Sequence, residues 1–208
     1  MYNGYNEVDI MLNYPTGKPG KTGEQTLIRN PNLSKSRLGT SFEQALNESN
    51  QYYLQHNIAI IHKKPTPVQV VKVDFPSRNK ARIVEAYYKI PSTTDYNGIY
   101  RGQYIDFEAK SCNAPSFPFS HLFRHQIEHL RNVAKMGGIA FLLIEFINKQ
   151  EVYLLAIDKL ICCYEESLSG GRKSIPYAYF KEHGILIKPA YAPRIPYLEA
   201  VDQAFFPK

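Results

Sequence analysis

Apolar positions along the chain divide it into segments of two periodicities. Phe42, Ala45, Leu46, Ser49 and Tyr53 recur at helical intervals and predict one buried helix face. Thr40 and Glu43 have the spacing of a capping box, which puts the helix start near Ser41. Residues 57–61 read as a buried strand. Residues 83–90, running on to 93–96, and residues 104–110 read as two more. Leu122, Phe123, Ile127, Leu130 and Ala134 form the core face of a helix over 121–136, which Ser120 can cap and Gly137-Gly138 ends. Ile139–Phe146 is a near-continuous apolar run, the mark of a central strand. Residues 151–157 are its hairpin partner across Asn148-Lys149-Gln150. There is no internal repeat. The pattern predicts an α/β fold, a mixed β-sheet flanked by helices.

Two segments stand outside the pattern. Residues 1–38 hold turn formers, Lys and Arg with no apolar period, and read as a mobile basic arm, leaving 39–208 as the folded domain. Residues 62–82 carry Lys63, Lys64, Lys72, Arg78, Lys80 and Arg82 against a single acid, Asp74. Pro65, Pro67 and Pro76 break the segment, and Val68, Val70 and Val73 make part of it extended. It reads either as a solvated surface hairpin or as a basic projection that contacts nucleic acid, with Arg78 at or near its tip.

Composition narrows the classes. In 208 residues, 44% hydrophobic and 13% aromatic, most of the chain has the means to fold around a core. No apolar run reaches the roughly 18 residues of a membrane helix, so no membrane role is expected. The first residues lack a basic and apolar leader, and three cysteines give no disulfide framework, which points to a cytoplasmic protein. A net charge of +6 favours a polyanionic partner, nucleic acid first.

The candidate chemistry lies in residues 103–110. As a strand, Ile105, Phe107 and Ala109 take one face, and Asp106, Glu108 and Lys110 the other. If Arg101-Gly102 is the hairpin turn, Asp95 comes opposite Glu108 and Thr93 opposite Lys110. Asn97-Gly98 is the better turn on paper and would pair Asp95 with Tyr100. The later turn is preferred because it alone makes the polar faces coincide, with Asn97-Gly98 then a bulge. Opposed carboxylates repel unless a cation lies between them or one is protonated. That suits Mg²⁺, with Lys110 adding positive charge where a phosphodiester transition state gains negative charge. The plain alternative is a surface hairpin with a salt bridge.

The pattern Asp-x12-Glu-x-Lys resembles the PD-(D/E)xK nuclease superfamily. Longer strings, Ile60-Ile61-His62-Lys63-Lys64-Pro65-Thr66-Pro67-Val68-Gln69, Ser92-Thr93-Thr94-Asp95-Tyr96-Asn97-Gly98, Tyr104 to Lys110, His125-Gln126-Ile127-Glu128-His129 and Tyr191-Ala192-Pro193-Arg194, resemble the RecU Holliday-junction resolvases over roughly 39–205. The resemblance implies a restriction-endonuclease-like fold and a homodimer that nicks four-way junction DNA with Mg²⁺. It makes 62–82 a stalk that enters the junction. Asp95 and Glu108 would be metal ligands, Lys110 the transition-state stabiliser, and Thr93 or Thr94 with Gln126 would complete the metal shell. Strand alternation favours Thr93. Three departures stand out. Arg37-Leu38-Gly39 replaces the family's Arg-Gly before the first helix, so Arg37, the arm's expected DNA contact, is displaced by one. The Lys110–Gln126 spacing is one residue short. Pro196 stands where Asp is expected.

Glu43 is either the capping-box residue or an additional catalytic acid. His121, His125 and His129 share a helix face at four-residue spacing, which reads as a polar face near phosphates before a zinc site. Cys162-Cys163 reads as core, and Gly170-Gly171-Arg172-Lys173 as an exposed turn. Besides a junction-resolving endonuclease of recombination and DNA repair, two functions fit the residues. One is a non-catalytic DNA-binding or recombinase-regulating module with a strand-exchange recombinase as partner. The other is a sequence-specific restriction-type nuclease.

Overall fold

A computed structural model describes residues 35–76, 80–89 and 93–207, with side chains from residue 42 onward. The elements run α1 (Lys35–Gln55), β1 (Ala59–Lys63), β2 (Val68–Asp74), β3 (Arg82–Tyr88), β4 (Tyr96–Tyr100), β5 (Gln103–Cys112), β6 (Ser116–Pro118) and α2 (Arg124–Lys135). They continue with β7 (Ile139–Phe146), β8 (Glu151–Ala156), α3 (Ile157–Leu168), β9 (Ser174–Pro176), α4 (Tyr177–His183), β10 (Ile185–Ile187) and α5 (Tyr197–Phe205). A six-stranded sheet has the order β1-β4-β5-β7-β8-β10. Only β5 and β7 run parallel, because α2 carries the chain back between them.

The sheet is covered on both faces, as its apolar runs require. On one face Leu46 and Tyr53 of α1 and Tyr197 and Val201 of α5 pack on Ile105, Phe107, Phe141, Leu143 and Leu154. On the other, Ile127 and Leu130 of α2, Leu160 of α3 and Phe180 of α4 pack on Ala140, Leu142, Ile144 and Leu155. Phe107 lies in a stack across three strands, 4.9 Å from the Tyr96 ring and 4.8 Å from Phe141. Strand β5 is therefore apolar on the α1 face, while its other face turns Asp106, Glu108 and Lys110 toward α2.

The β4–β5 ladder runs from Tyr96↔Phe107 to Tyr100↔Gln103, so Arg101-Gly102 is the turn. Arg101 and Gly102 both adopt positive φ, as such a turn demands. Asn97-Gly98 is not a bulge but part of the regular ladder. The glycine is needed there for another reason. A Cβ on Gly98 would lie 2.0 Å from the Ile60 carbonyl oxygen of β1.

Four other sequence expectations are corrected. Helix α1 begins at Lys35, not near Ser41, so Thr40 is inside the helix and cannot form the capping box with Glu43. Residues 83–88 are not a strand of the main sheet. As β3 they pair with β2 in a separate antiparallel ribbon, with register shifts between Val70 and Val73. Every residue of the ribbon is exposed except half-buried Val73. Its Val, Ile and Tyr content favours extended backbone, and periodicity alone cannot separate a projecting ribbon from a sheet strand. Helix α2 starts only at Arg124, after a 3-10 turn that contains His121, so the three histidines do not share a helix face. Cys162 is exposed and Cys163 half-buried on α3, rather than core.

Candidate active site

The site grows from the central strand. Glu108 is wholly buried, and each of its oxygens is addressed. Lys110 Nζ lies 2.5 Å and Gln126 Nε2 2.7 Å from Oε1, and the backbone N–H of Asp95 donates to Oε2 at 3.1 Å. Asp95 sits one step beyond the last β4–β5 pair, so the register delivers it opposite Glu108. Gln126 comes from the first turn of α2, where its Oε1 accepts the Phe123 N–H at 3.0 Å and caps the helix. Burial, with the Asp95 charge added, pushes the Glu108 carboxyl up to about 7 despite the Lys110 ammonium.

A second buried carboxylate lies two residues earlier on the same strand face. Asp106 has no exposed surface. Its Oδ2 accepts from Lys64 Nζ at 2.8 Å, Tyr104 Oη at 2.7 Å and His129 Nε2 at 3.0 Å, and its Oδ1 accepts from Thr94 Oγ1. A carboxylate can only accept, so His129 carries its proton on Nε2. Burial alone would raise the Asp106 pKa, but the hydrogen bonds from Lys64, Thr94, Tyr104 and His129 hold it below the usual carboxylate value. Sequence reasoning placed Asp106 on the polar face of its strand without giving it a role. The signal that was available is that face itself, shared with Glu108 and Lys110.

The remaining expected residues distribute as follows. Thr94 is buried, and Lys64 Nζ donates to its Oγ1 at 2.9 Å. Thr93 is half-buried, and because β4 begins only at Tyr96, strand alternation does not apply to either threonine. Glu43 is half-exposed and ion-paired with Lys63. Burial raises the Tyr96 hydroxyl pKa, and the charges of Glu43, Asp95 and Glu108 add to it. Lys64 is three-quarters or more buried against Asp106, whereas Lys72 and Lys80 are exposed on the ribbon side of the molecule. Arg82 pairs loosely with Asp74 at 3.5 Å. Arg78 lies outside the described residues, as does the arm before residue 35, and the side chain of Arg37 is likewise outside them.

The ribbon is rooted at this site. The N–H of Lys64, at its entry, donates to the Asp95 carbonyl at 2.7 Å, and Lys89, at its exit, donates to Pro67 at 3.0 Å. The buried Glu108 carboxyl, the Asp95 loop, the Gln126 amide and the Lys110 ammonium thus meet near the root of a basic projection. Carboxylate oxygens of this kind suit a hard divalent cation.

Among the described residues no helix is long and apolar enough to cross a membrane. The family described as "Recombination protein U" matches residues 37–203. A protein named Holliday junction resolvase RecU from Pediococcus pentosaceus is 48% identical over 197 residues, covering 93% of this chain and 98% of that protein. Proteins of the same name from Bacillus cereus and a Geobacillus species are 48% and 47% identical, each over 95% of this chain. The solved structure of Archaeoglobus fulgidus Hjc, a Holliday junction resolvase, covers 71% of this chain at 13% identity and a TM-score of 0.43.

Proposed function

This chain belongs to the RecU family, and from that premise we propose that it is a structure-selective endonuclease that resolves four-way (Holliday) DNA junctions by paired, symmetric nicks in recombination and repair. The observation that carries the reading is Glu108, buried on β5 and gripped by Lys110, Gln126 and the Asp95 backbone. A purely DNA-binding module has no use for a carboxyl pair sunk beside a lysine, and burying such a pair is costly.

Asp95, Glu108 and Gln126, with Thr93 or Thr94, would hold a divalent cation, Mg²⁺ in this proposal. Bound there, such an ion supplies Lewis-acid charge against the scissile phosphate. The protein's own groups do the rest. Lys110 holds an ammonium, one-quarter exposed, next to Glu108, where it can face the charge that builds on the phosphoryl oxygens. Gln126 orients Glu108 from α2. Glu43, paired with Lys63 at the rim, stands as a further candidate acid.

The segment before α1, continuing into that helix's first turn with Arg37, is proposed as a DNA-contacting arm, and α1 onward as the nuclease domain. The ribbon, with Lys72, Lys80, Arg82 and Arg78, serves as the stalk. A surface patch would bind any DNA, whereas a projection needs an opening to enter, which an unstacked junction offers and duplex does not. Two nicks related by a two-fold axis call for a C2 homodimer. The substrate places the work in the cytoplasm, with the chromosome.

The test is a nicking assay on synthetic four-way junction, duplex and single-stranded DNA with Mg²⁺ or EDTA. Paired nicks on opposed strands of the junction, abolished by EDTA, are expected. A junction left uncut in Mg²⁺ would sink the reading.

A further inference from the structure

The candidate cation ligands ride on three pieces of the fold, with Thr93 and Thr94 on the same loop as Asp95. Asp95 is on the loop before β4, Glu108 is on β5, and Gln126 is on α2. The β4–β5 register brings Asp95 to the end of the hairpin opposite Glu108, but the ladder itself stops one pair short, at Tyr96↔Phe107, and α2 packs through side chains. Glu108 itself meets the Asp95 N–H and the Gln126 amide, and a second buried carboxylate, Asp106, ties the same pieces together through other residues. Asp106 is on β5 two residues before Glu108, so it shares that carboxylate's strand face. It accepts from Thr94, the neighbour of Asp95, and from His129, three residues and thus nearly one turn beyond Gln126 on α2. It also takes Lys64, whose backbone N–H donates to the Asp95 carbonyl at 2.7 Å.

We propose that Asp106 is a positioning residue that clamps the Asp95 loop, helix α2 and the root of the ribbon onto β5, and so holds the cation ligands in register. This rests on the nuclease reading and deepens it. Asp106 makes no hydrogen bond to Glu108, Gln126 or the Asp95 carboxylate, and of the candidate ligands only Thr94, the alternative to Thr93, donates to it. Its partners instead are the residues that carry or flank them. Were the cluster there for stability alone, an apolar set in place of Asp106 and its donors together would serve as well, since whole buried ion pairs often yield to hydrophobic replacements without loss. The donors that converge on it would then have no reason to come from the ligand-bearing elements.

The decisive variant is Asp106→Asn, which keeps the shape and turns one acceptor oxygen into a donor that opposes Lys64 and Tyr104. The readouts are Mn²⁺ binding to the DNA-free protein, followed by electron paramagnetic resonance, and nicking rate against Mg²⁺ concentration. Mn²⁺ affinity should fall about 10-fold or more, as for other groups that orient metal ligands. Junction affinity without metal should be unchanged, and high Mg²⁺ should restore much of the nicking rate. Unchanged Mn²⁺ affinity, or a rate lost equally at every Mg²⁺ concentration, overturns the proposal. If Asp106→Asn does not fold, Tyr104→Phe and His129→Leu each remove one donor and should weaken Mn²⁺ binding about threefold, the worth of one hydrogen bond; no shift in either overturns it. Failure of wild type itself to bind Mn²⁺ would instead sink the nuclease reading from which the proposal starts.

Discussion

The backbone N–H of Asp95 donates to the side chain of Glu108 at 3.1 Å, across the end of the β4–β5 hairpin. The contact is a consequence of register. With Arg101-Gly102 as the turn, the ladder pairs Tyr96 with Phe107, and the next step outward is Asp95 against Glu108. A turn at Asn97-Gly98 would have placed Asp95 opposite Tyr100 and dispersed the carboxyls. Gly98 helps to lock this choice, because only a residue without Cβ fits against the Ile60 carbonyl of β1.

Gly98→Ala should therefore destabilise the protein by more than ~2 kcal/mol, the range of substitutions that force a backbone clash. Because β1 and β4 must separate to admit the methyl group, the effect should spread to the Asp95 loop. Denaturant unfolding of the variant checks the first point. A midpoint equal to wild type would show that β1 yields without cost.

The Glu108 carboxyl, raised to about 7, makes a pH prediction for the metal-free protein. Its folded pKa is above the unfolded value of about 4.5, so the native state binds more protons between the two. The stabilisation that this proton uptake gives is full below the unfolded pKa and is lost as pH rises through about 7. Wild type in EDTA should lose stability over that window relative to Glu108→Gln, which cannot titrate. Unfolding of the pair at a series of pH values measures it, and parallel curves would contradict the burial argument. Cation binding should release a proton below pH about 7.

Lys110→Ala removes the ammonium 2.5 Å from Glu108. The nicking rate should fall by ~100-fold or more, as on loss of one preorganised stabiliser of transition-state charge. Junction affinity should change little, since the ribbon and arm carry most phosphate contacts in this account. Equal losses of binding and rate would reassign Lys110 to phosphate anchoring.

The ribbon can be trimmed without touching the site, provided that Lys64 is kept. Gln69 and Tyr87 are paired, so residues 70–86 can be replaced by Asn-Gly. Preference for junction over duplex should shrink while Mn²⁺ binding persists. A trimmed protein as selective as wild type would move recognition to the arm or the dimer cleft.

Much of this was legible in the sequence because period-2 alternation on β5 fixes which side chains share a face. Ile139–Phe146 was legible because a continuous apolar run of that length fits a strand covered on both sides. The Asp106 cluster was not. Its donors lie at positions 64, 94, 104 and 129, and nothing local in any of these segments announces that they converge. The helix start at Lys35 was hidden because Thr40 and Glu43 offer an attractive local cap that the longer helix overrides. The ribbon's second strand cannot be told from a strand of the main sheet, because Val, Ile and Tyr signal extended backbone but not what, if anything, covers it.

The account turns on Asp95. Asp95→Asn keeps the loop's shape and the N–H that reaches Glu108, and removes only the charge that a hard cation wants. The most direct measurement is the single-turnover nicking rate of this variant on a preformed complex with four-way junction, started by adding Mg²⁺. The account predicts wild-type junction binding with nicking reduced by ~100-fold or more. Cleavage at the wild-type rate would place the metal site elsewhere and contradict it.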